Sequence, residues 1–342
     1  EGGTINVVRE DPERRGLLFA GSEQAVYVSF DDGDHWQSLR LNMPATSIRD
    51  LIIKDNDIVV GTHGRSFWIL DDITPLRQLT AQVDSAPAHL FKPQTAIRFR
   101  WNKWPDTPLP PEEPGGENPP DGAIIDYKLA ADAGEVVLQI LDASGRVVRR
   151  YASDDAPQGM LPGTNVPPYW VRPWQPLSAR AGMHRFVWDM HYPAPAVLEF
   201  GYPISATPYN TPRVPQGVWA MPGRYTVRLT VDGTRYEQPL TVRMDPRVKT
   251  PMPGLTQQFT LSMRVDSLLR ENMGAVLQTR VAAPESEMLQ TLTRLNRELG
   301  SLYNALQDAD VAPTAQLVAA IEEKATAVRA ALAQWRASRT PQ

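Results

Sequence analysis

The sequence predicts a mainly β chain with an α-helical C-terminus: two repeated modules of a partial β-propeller, then an Ig-like β-sandwich, then a three-helix bundle. Three observations predict it. A stretch near residue 20 recurs near residue 60. Between 123 and 248, short apolar runs alternate with Gly, Pro and Asp turn residues. After Pro251 the composition shifts to Leu, Ala, Gln, Arg and Glu, with apolar residues at helical spacing.

At 342 residues the chain has room for two or three domains, and 42% hydrophobic with 22% charged residues suits an ordinary globular protein. A net charge of -4 argues against nucleic acid as a partner, because neutralising phosphates takes a basic patch. No apolar run reaches the roughly 18 residues of a membrane span. The absence of cysteine excludes disulfides, thiolate metal sites and a cysteine nucleophile. Most of the 32 prolines fall between Pro87 and Pro253, which disfavours helices and central strands there.

The repeat comes first in the chain. Ala20–Asp32 aligns with Val60–Asp72 at a constant offset, within the roughly 40–45 residues that a four-stranded blade consumes. Apolar runs place the first module's strands at Ile5–Arg9, Leu17–Gly21, Ala25–Phe30 and Gln37–Leu41. Those of the second fall at Ile48–Lys54, Ile58–Gly61, Ser66–Leu70 and Leu76–Leu79. Between the third and fourth strands of the first module, Ser29, Asp31, Gly33 and Trp36 fit S-x-D-x-G-x-x-W at every defined position. Asp31 is suited to accept backbone N–H bonds, Gly33 to take positive φ, and Trp36 to bury its ring between blades.

At these residues the chain resembles the Asp-box, or BNR-repeat, propellers. Gly61-Thr62-His63-Gly64-Arg65-Ser66-Phe67-Trp68, followed by Leu70-Asp71-Asp72, resembles more specifically the sortilin-like bacterial members often labelled BNR-repeat glycosyl hydrolases. The resemblance implies the C-terminal part of such a protein, secreted or periplasmic. It implies that Asp31, Asp32, Asp71 and Asp72 form turns on the face opposite the ligand entrance, and are not catalytic. The second module departs from the pattern, with Ile69 and Ile73 where Ser and Gly belong, so its turn reads as degenerate. Two blades do not close a ring of about four to eight. The remaining blades are therefore expected as another segment or chain of the same gene product, packed against Ile5–Leu79. Glu1 in place of Met, ahead of what reads as a strand interior, fits a chain starting inside a propeller.

Residues 81–122 read as a Pro-rich connector. Just before its Pro/Gly-rich part, Phe99-Arg100-Trp101-Asn102-Lys103-Trp104 interleaves aromatics with cations. That pattern serves inter-domain packing or, through Trp101 and Trp104, a platform for sugar or peptide. Strands of the sandwich are expected at Ile124–Leu129, Val136–Leu141, Val147–Tyr151, His184–Met190, Tyr225–Val231 and Tyr236–Met244. Two long insertions, Pro157–Pro176 and Pro193–Pro222, mark function or an interface, and docking onto the propeller is favoured. In the helical region (249–342), Leu255–Val281 is the first helix and Pro284 with Glu285 and Glu287 opens the second. Met288, Leu292, Leu295, Leu299, Leu302 and Leu306 form its seam. Pro313-Thr314 opens the third, with Leu317, Ile321, Val328, Leu332 and Trp335 inward.

Chemistry is sparse. His63-Gly64-Arg65 falls between the second and third strands of its module, the loop that opens on a propeller's ligand face. Arg65 is suited to clamp a carboxylate and His63 to transfer a proton, against the reading in which Arg65 packs on a neighbouring blade. His35 reads as solvated. His184 and His191, with Asp189 between them, are too loosely spaced for a metal. No metal or cofactor is expected. Glycoside hydrolysis needs two carboxylates about 5–10 Å apart, and no pair is placed for it. The expected function is binding or assembly towards peptide or glycan. The alternative is a glycoside hydrolase with most of its carboxylates in the missing blades; a peptidase-associated module is a weaker third reading.

Overall fold

The computed structural model describes residues 3–101, 110, 112–113, 116–164, 166–203 and 207–338. The protein is mainly β with a helical C-terminal segment. No helix of the described residues is long and apolar enough to cross a membrane.

The first sheet is antiparallel and follows chain order: β1 (Ile5–Glu10), β2 (Leu18–Ser22), β3 (Val26–Ser29) and β4 (Gln37–Ser38). The second contains β5 (Ile48–Lys54), β6 (Asp57–Thr62) and β7 (Phe67–Leu70). The fourth strand expected at Leu76–Leu79 is absent. The chain instead forms α1 (Thr74–Gln78) and α2 (Ala81–Ser85). Pro75 explains the change, since it lacks the N–H a strand donates and its φ suits a first helical turn. Arg77 of α1 fixes the helix beneath both sheets by bonding Asp11 at 2.9 Å and the Asn56 side chain.

The two sheets share one core. Val7, Phe19, Val26 and Val28 of the first meet Ile48, Leu51, Ile58 and Val60 of the second. Gly21 makes the approach possible, because a Cβ there would lie 2.5 Å from Ile48 Cγ2. The repeat is not in constant register. Gly21 faces Val26 across the first hairpin, whereas Gly61 faces Phe67 across the second. The second hairpin holds one extra residue, and Ser66 takes it up at φ +61°.

A second core lies between two further sheets. It is built from β8 (Ala88–Leu90), β9 (Ala96–Arg98), β10 (Ala123–Leu129), β11 (Val136–Leu141), β12 (Val147–Ala152), β13 (Gly182–Trp188), β14 (Gly223–Val231) and β15 (Thr234–Met244). The strand orders are β13-β10-β8 and β12-β11-β14-β15-β9. The six expected strands are present, but β8 and β9 come from the stretch read as connector. β8 pairs with β10, and β9 runs parallel to β15. Their ladder partners are distant in sequence, so no local pattern announces them.

The helical segment comprises α3 (Met252–Ala282), α4 (Glu287–Gln307) and α5 (Ala315–Ala337). Ser286 and Thr314 accept the N–H groups of Leu289 and Leu317 as N-caps. α4 therefore starts after Pro284, at a side chain that can cap. Leu292, Leu295, Leu299, Leu306, Ile321, Val328 and Leu332 are buried in its core, with Met288, Leu302, Leu317 and Trp335 partly so.

Among the described residues no hydrogen bond or ion pair joins the long insertions to the first two sheets. The second lies on the helices, where buried Asn296 accepts the Leu198 N–H and donates to the Ala196 carbonyl. The Tyr303 hydroxyl donates to the Gln216 carbonyl at 2.9 Å. The first insertion packs on the second, through Arg172 N–H to the Thr211 carbonyl and Tyr209 N–H to the Tyr169 carbonyl. Polar groups on the helix surface need these backbone partners once they are buried, and that need decides the docking.

Asp310, between α4 and α5, joins helices to sheets. It is buried and accepts from both Arg98 and Arg100. Arg98 also donates to the Ala220 carbonyl at 2.9 Å. Removing one partner of a buried ion pair strands the other charge, at a cost of about 3–5 kcal/mol. Asp310→Ala is expected to lower the unfolding free energy by that order in a urea titration. Arg98→Met combined with Asp310→Leu is expected to lose clearly less; equal losses would show that the pair is not the origin of the effect.

Candidate functional site

The β3–β4 turn holds Ser29, Asp31, Gly33 and Trp36. Ser29 Oγ donates to Asp31 Oδ1 and accepts the Gly33 N–H, both at 2.9 Å. Asp31 also accepts the His35 N–H at 2.9 Å, and its second oxygen lies 2.6 Å from His35 Nδ1. Gly33 sits at φ +98°. The His35 backbone N–H, then the His35 ring and Ser29, hold the Asp31 carboxyl at about 2. All of this bonding is internal to the turn. Trp36 departs from expectation: it is 40% exposed. Its Nε1 donates to the Gly33 carbonyl at 2.9 Å, which holds the ring on its own turn instead of between sheets.

The β2–β3 and β6–β7 hairpins lie at the opposite end of the two sheets. The second carries His63 and Arg65. His63 N–H donates to the Ser47 carbonyl at 2.9 Å, fixing the hairpin to the entry of β5. Thr62 Oγ1 donates to the Ser66 carbonyl at 2.6 Å and accepts the Arg65 N–H at 3.1 Å. Trp68 Nε1 closes the loop on the Arg65 carbonyl at 2.8 Å. Much of the hairpin backbone is thus engaged while both side chains are exposed. No ion pair or hydrogen bond engages the Arg65 guanidinium among the described residues.

Glu23 and Arg49 complete this end, and the sequence reading missed both. Glu23 accepts Asn6 Nδ2 at 2.8 Å and lies 3.6 Å from Arg49. The Asn6 hydrogen bond holds its carboxyl below the usual range, with the nearby charges of Arg49 and His63 adding to the effect. The repeat alignment itself carried a signal, since Glu23 stands in the first module where His63 stands in the second. The exposed Arg65 guanidinium is suited to a carboxylate and the exposed His63 to proton exchange.

Trp101 is not part of it. Pairing of β9 with β15 carries the following residues towards the helices, where Arg100 bonds Asp310 and the Gln307 carbonyl. Trp101 packs at a tilt against Phe99, with ring centroids 5.0 Å apart. Trp104 lies outside the described residues. His184 and His191 are also separate, one against Tyr127 and the other 3.8 Å from the Trp219 ring. Among the described residues no group of three or more His, Asp and Glu is placed to hold a metal ion.

A second surface adjoins the hairpin. Ile52, Val59 and Ile69 form a row across β5, β6 and β7 on the face turned away from the core. Ile69 is 57% exposed, and Phe67 beside it 80%. The runs Leu51-Ile52-Ile53, Ile58-Val59-Val60 and Phe67–Leu70 are apolar on both faces, the pattern of strands covered on both sides. Here one side is covered.

No protein-family model matches the chain, and no curated protein matches it. A solved structure similar to part of it is the extracellular domain of a hybrid two-component system protein from B. thetaiotaomicron. The identity is 10%, the match covers 72% of this chain and 26% of that one, and the TM-score is 0.17. The chain spans about a quarter of that neighbour's length, and a likeness this distant carries no functional argument.

Burial pushes the His191 imidazole down to about 4, against the pull of Asp189. Its folded value is depressed below an ordinary histidine's, near 6.5. The contribution to stability is therefore complete above about pH 6.5 and falls as the pH drops towards 4, because only the unfolded chain takes the proton in that window. The full loss is about 3 kcal/mol at 1.36 kcal/mol per unit. Denaturant titrations between pH 7 and 4 are expected to show this slope in the wild type, and His191→Gln to flatten it.

Proposed function

We propose that this chain is the C-terminal part of a secreted or periplasmic, sortilin-like Asp-box propeller protein with a binding and assembly role towards peptide or glycan. In this reading the first two sheets are propeller blades, and the eight strands from β8 to β15 form an Ig-like brace bound to the helices. The observation that carries it is the uncovered face of the second sheet. Phe19 pairs with Val28 in the first sheet as Val59 pairs with Ile69 in the second. The second sheet covers Phe19 and Val28, which are 0% and 3% exposed, while Ile69 has no such cover. Repeating the same stacking step once more would cover it, as radial repetition requires. Arg185 of the brace supports this unit by donating to the Asp71 and Asp72 carbonyls.

The hairpin end then forms the ligand surface. The unpaired Arg65 suits a carboxylate of a peptide or acidic sugar. Glu23, the carboxylate beside His63, is already held by Asn6, which favours binding over hydrolysis.

An exposed apolar patch drives association. In sedimentation velocity the isolated chain is expected to self-associate, and Ile52→Glu with Ile69→Glu to be monomeric with unchanged circular dichroism. A monodisperse wild-type chain would count against the blade reading. On peptide and glycan arrays the full-length protein is expected to retain carboxylate-bearing ligands, with Arg65→Ala about tenfold weaker, the loss of one hydrogen-bonded charge. Unchanged retention would remove Arg65 from the site, and turnover of a glycoside would favour a hydrolase.

A further inference from the structure

We infer that the outer face of the five-stranded sheet of the second core binds a linear acidic polysaccharide through arginines of β14 and β15. This surface is separate from the hairpin end, and the inference does not rest on the blade reading.

Strand alternation builds the face. Tyr225, Val227 and Leu229 of β14, with Leu240 and Val242 of β15, turn into the core. Their neighbours along each pleated strand therefore point outward, and these include Arg224 and Arg228 of β14 and Arg235 and Arg243 of β15. The face continues across β11, where Gln139 stands between Arg228 and Arg150 of β12. Ladder register groups the arginines. Thr241 lies opposite Arg224, and Glu237 opposite Arg228. Arg243 is thus the diagonal neighbour of Arg224, and Arg235 that of Arg228, each pair about 7–8 Å apart at the backbone. Along β14 the two pairs are separated by about 13 Å, the rise from residue 224 to residue 228 of an extended strand.

The charge on this face runs against that of the chain. The whole protein has a net charge of -4, yet among the outward residues of these strands five arginines face a single carboxylate, Glu237. A surface that is only solvated normally mixes the two signs. Arg228 is paired with Glu237 at 2.6 Å, and Arg150 lies 3.7 Å from Asp155. Arg224, Arg235 and Arg243 are exposed, and no ion pair or side-chain hydrogen bond engages them among the described residues. The chemistry of the face selects the occupant. A protein partner is anchored by buried aromatic or aliphatic side chains, and the outward residues of β14 and β15 are polar apart from Pro239. Single-stranded nucleic acid takes aromatic rings for its bases, and the outward positions of these two strands hold none. They offer guanidinium forks for carboxylates and, between the forks, the Thr226, Thr230 and Thr241 hydroxyls for the hydroxyls of a sugar. A carbohydrate chain with carboxylates along its length fits both.

The test uses the full chain carrying Ile52→Glu and Arg65→Ala, so that neither association through the second sheet nor the hairpin end contributes. The probe is an oligomer of galacturonic acid long enough to span both arginine pairs, titrated by calorimetry in calcium-free buffer of low ionic strength. Binding is expected, and it is expected to weaken by about tenfold or more as salt is raised, because exposed charges are screened. The fully methyl-esterified oligomer, the same chain without its charge, is expected not to bind. Arg224→Gln, Arg235→Gln and Arg243→Gln together are expected to weaken binding of the acid form by about tenfold or more. Circular dichroism is expected to be unchanged, since none of the three has a partner to lose. Absence of binding to the acid form, or undiminished binding by the triple variant, would overturn the proposal. Equal binding of the methyl ester would remove the carboxylates from the recognition. Tighter binding of polyglutamate would replace the polysaccharide with an acidic peptide, and tighter binding of phosphatidylglycerol vesicles would replace it with a membrane surface. None of these outcomes involves Ile52 or Arg65, so the blade reading and the hairpin surface stand or fall separately.

Discussion

One buried carboxylate ties the helical segment to the sheets of the second core. Asp310 lies between two helices in sequence, and between two guanidinium groups in space. Arg98 belongs to β9, an edge strand of three residues with few local means of holding its place. Burial lowers the pKa of Arg98, and Asp310 opposes that effect. A buried charge of this kind is tolerated only with its partner, so β9 and the α4–α5 connection are constrained together. Trp219 sits against both arginines, 5.3 and 5.2 Å from their guanidinium carbons, and His191 lies against the Trp219 ring. The second insertion is thereby fixed at its end, having already been fixed along its length by Asn296 and Tyr303. A proline-rich segment acquires a single path through these contacts.

The first two sheets follow a different constraint. They are related by a step in which one face of the first covers the opposite face of the second. Gly21 admits that approach, and Gly61 stands at the matching place on the uncovered side. The outer face of the second sheet repeats the apolar chemistry of the buried face of the first. The open apolar face is next to the polar hairpin end, so in the proposed reading assembly and ligand contact would involve adjacent parts of one small structure. α1 and Arg77 hold the other end of the pair, which leaves the hairpin end as the side free of helices.

Much of this was legible. Strand positions in the first sheet, the six main strands of the second core, and the three helices all follow from apolar periodicity with turn residues or caps. The turn at Asp31 followed from four residues of known backbone behaviour. Of the hairpin surface, His63 and Arg65 were visible from their place between two strands and Glu23 only through its alignment with His63, whereas Arg49 was not, because its contact with Glu23 comes from the neighbouring sheet. Trp101 misled because its aromatic and cationic neighbours suit packing and ligand contact equally. Trp36 misled because a ring that can reach a neighbouring sheet can also reach its own turn carbonyl.

By itself the sequence determined what local chemistry controls: the mainly β class with a helical end, the repeat, the positive-φ turns, and the helix caps at Ser286 and Thr314. Even the helix in place of a fourth strand has a local cause in Pro75. Tertiary structure alone decided that β8 and β9 are strands, that the second insertion lies on the helices, that Asp310 is a buried anchor, and that one apolar sheet face and one strand edge are open. These differ for a single physical reason. Backbone preference and capping act within a few residues, while ladder pairing, buried charge and surface cover depend on groups brought together only by the fold.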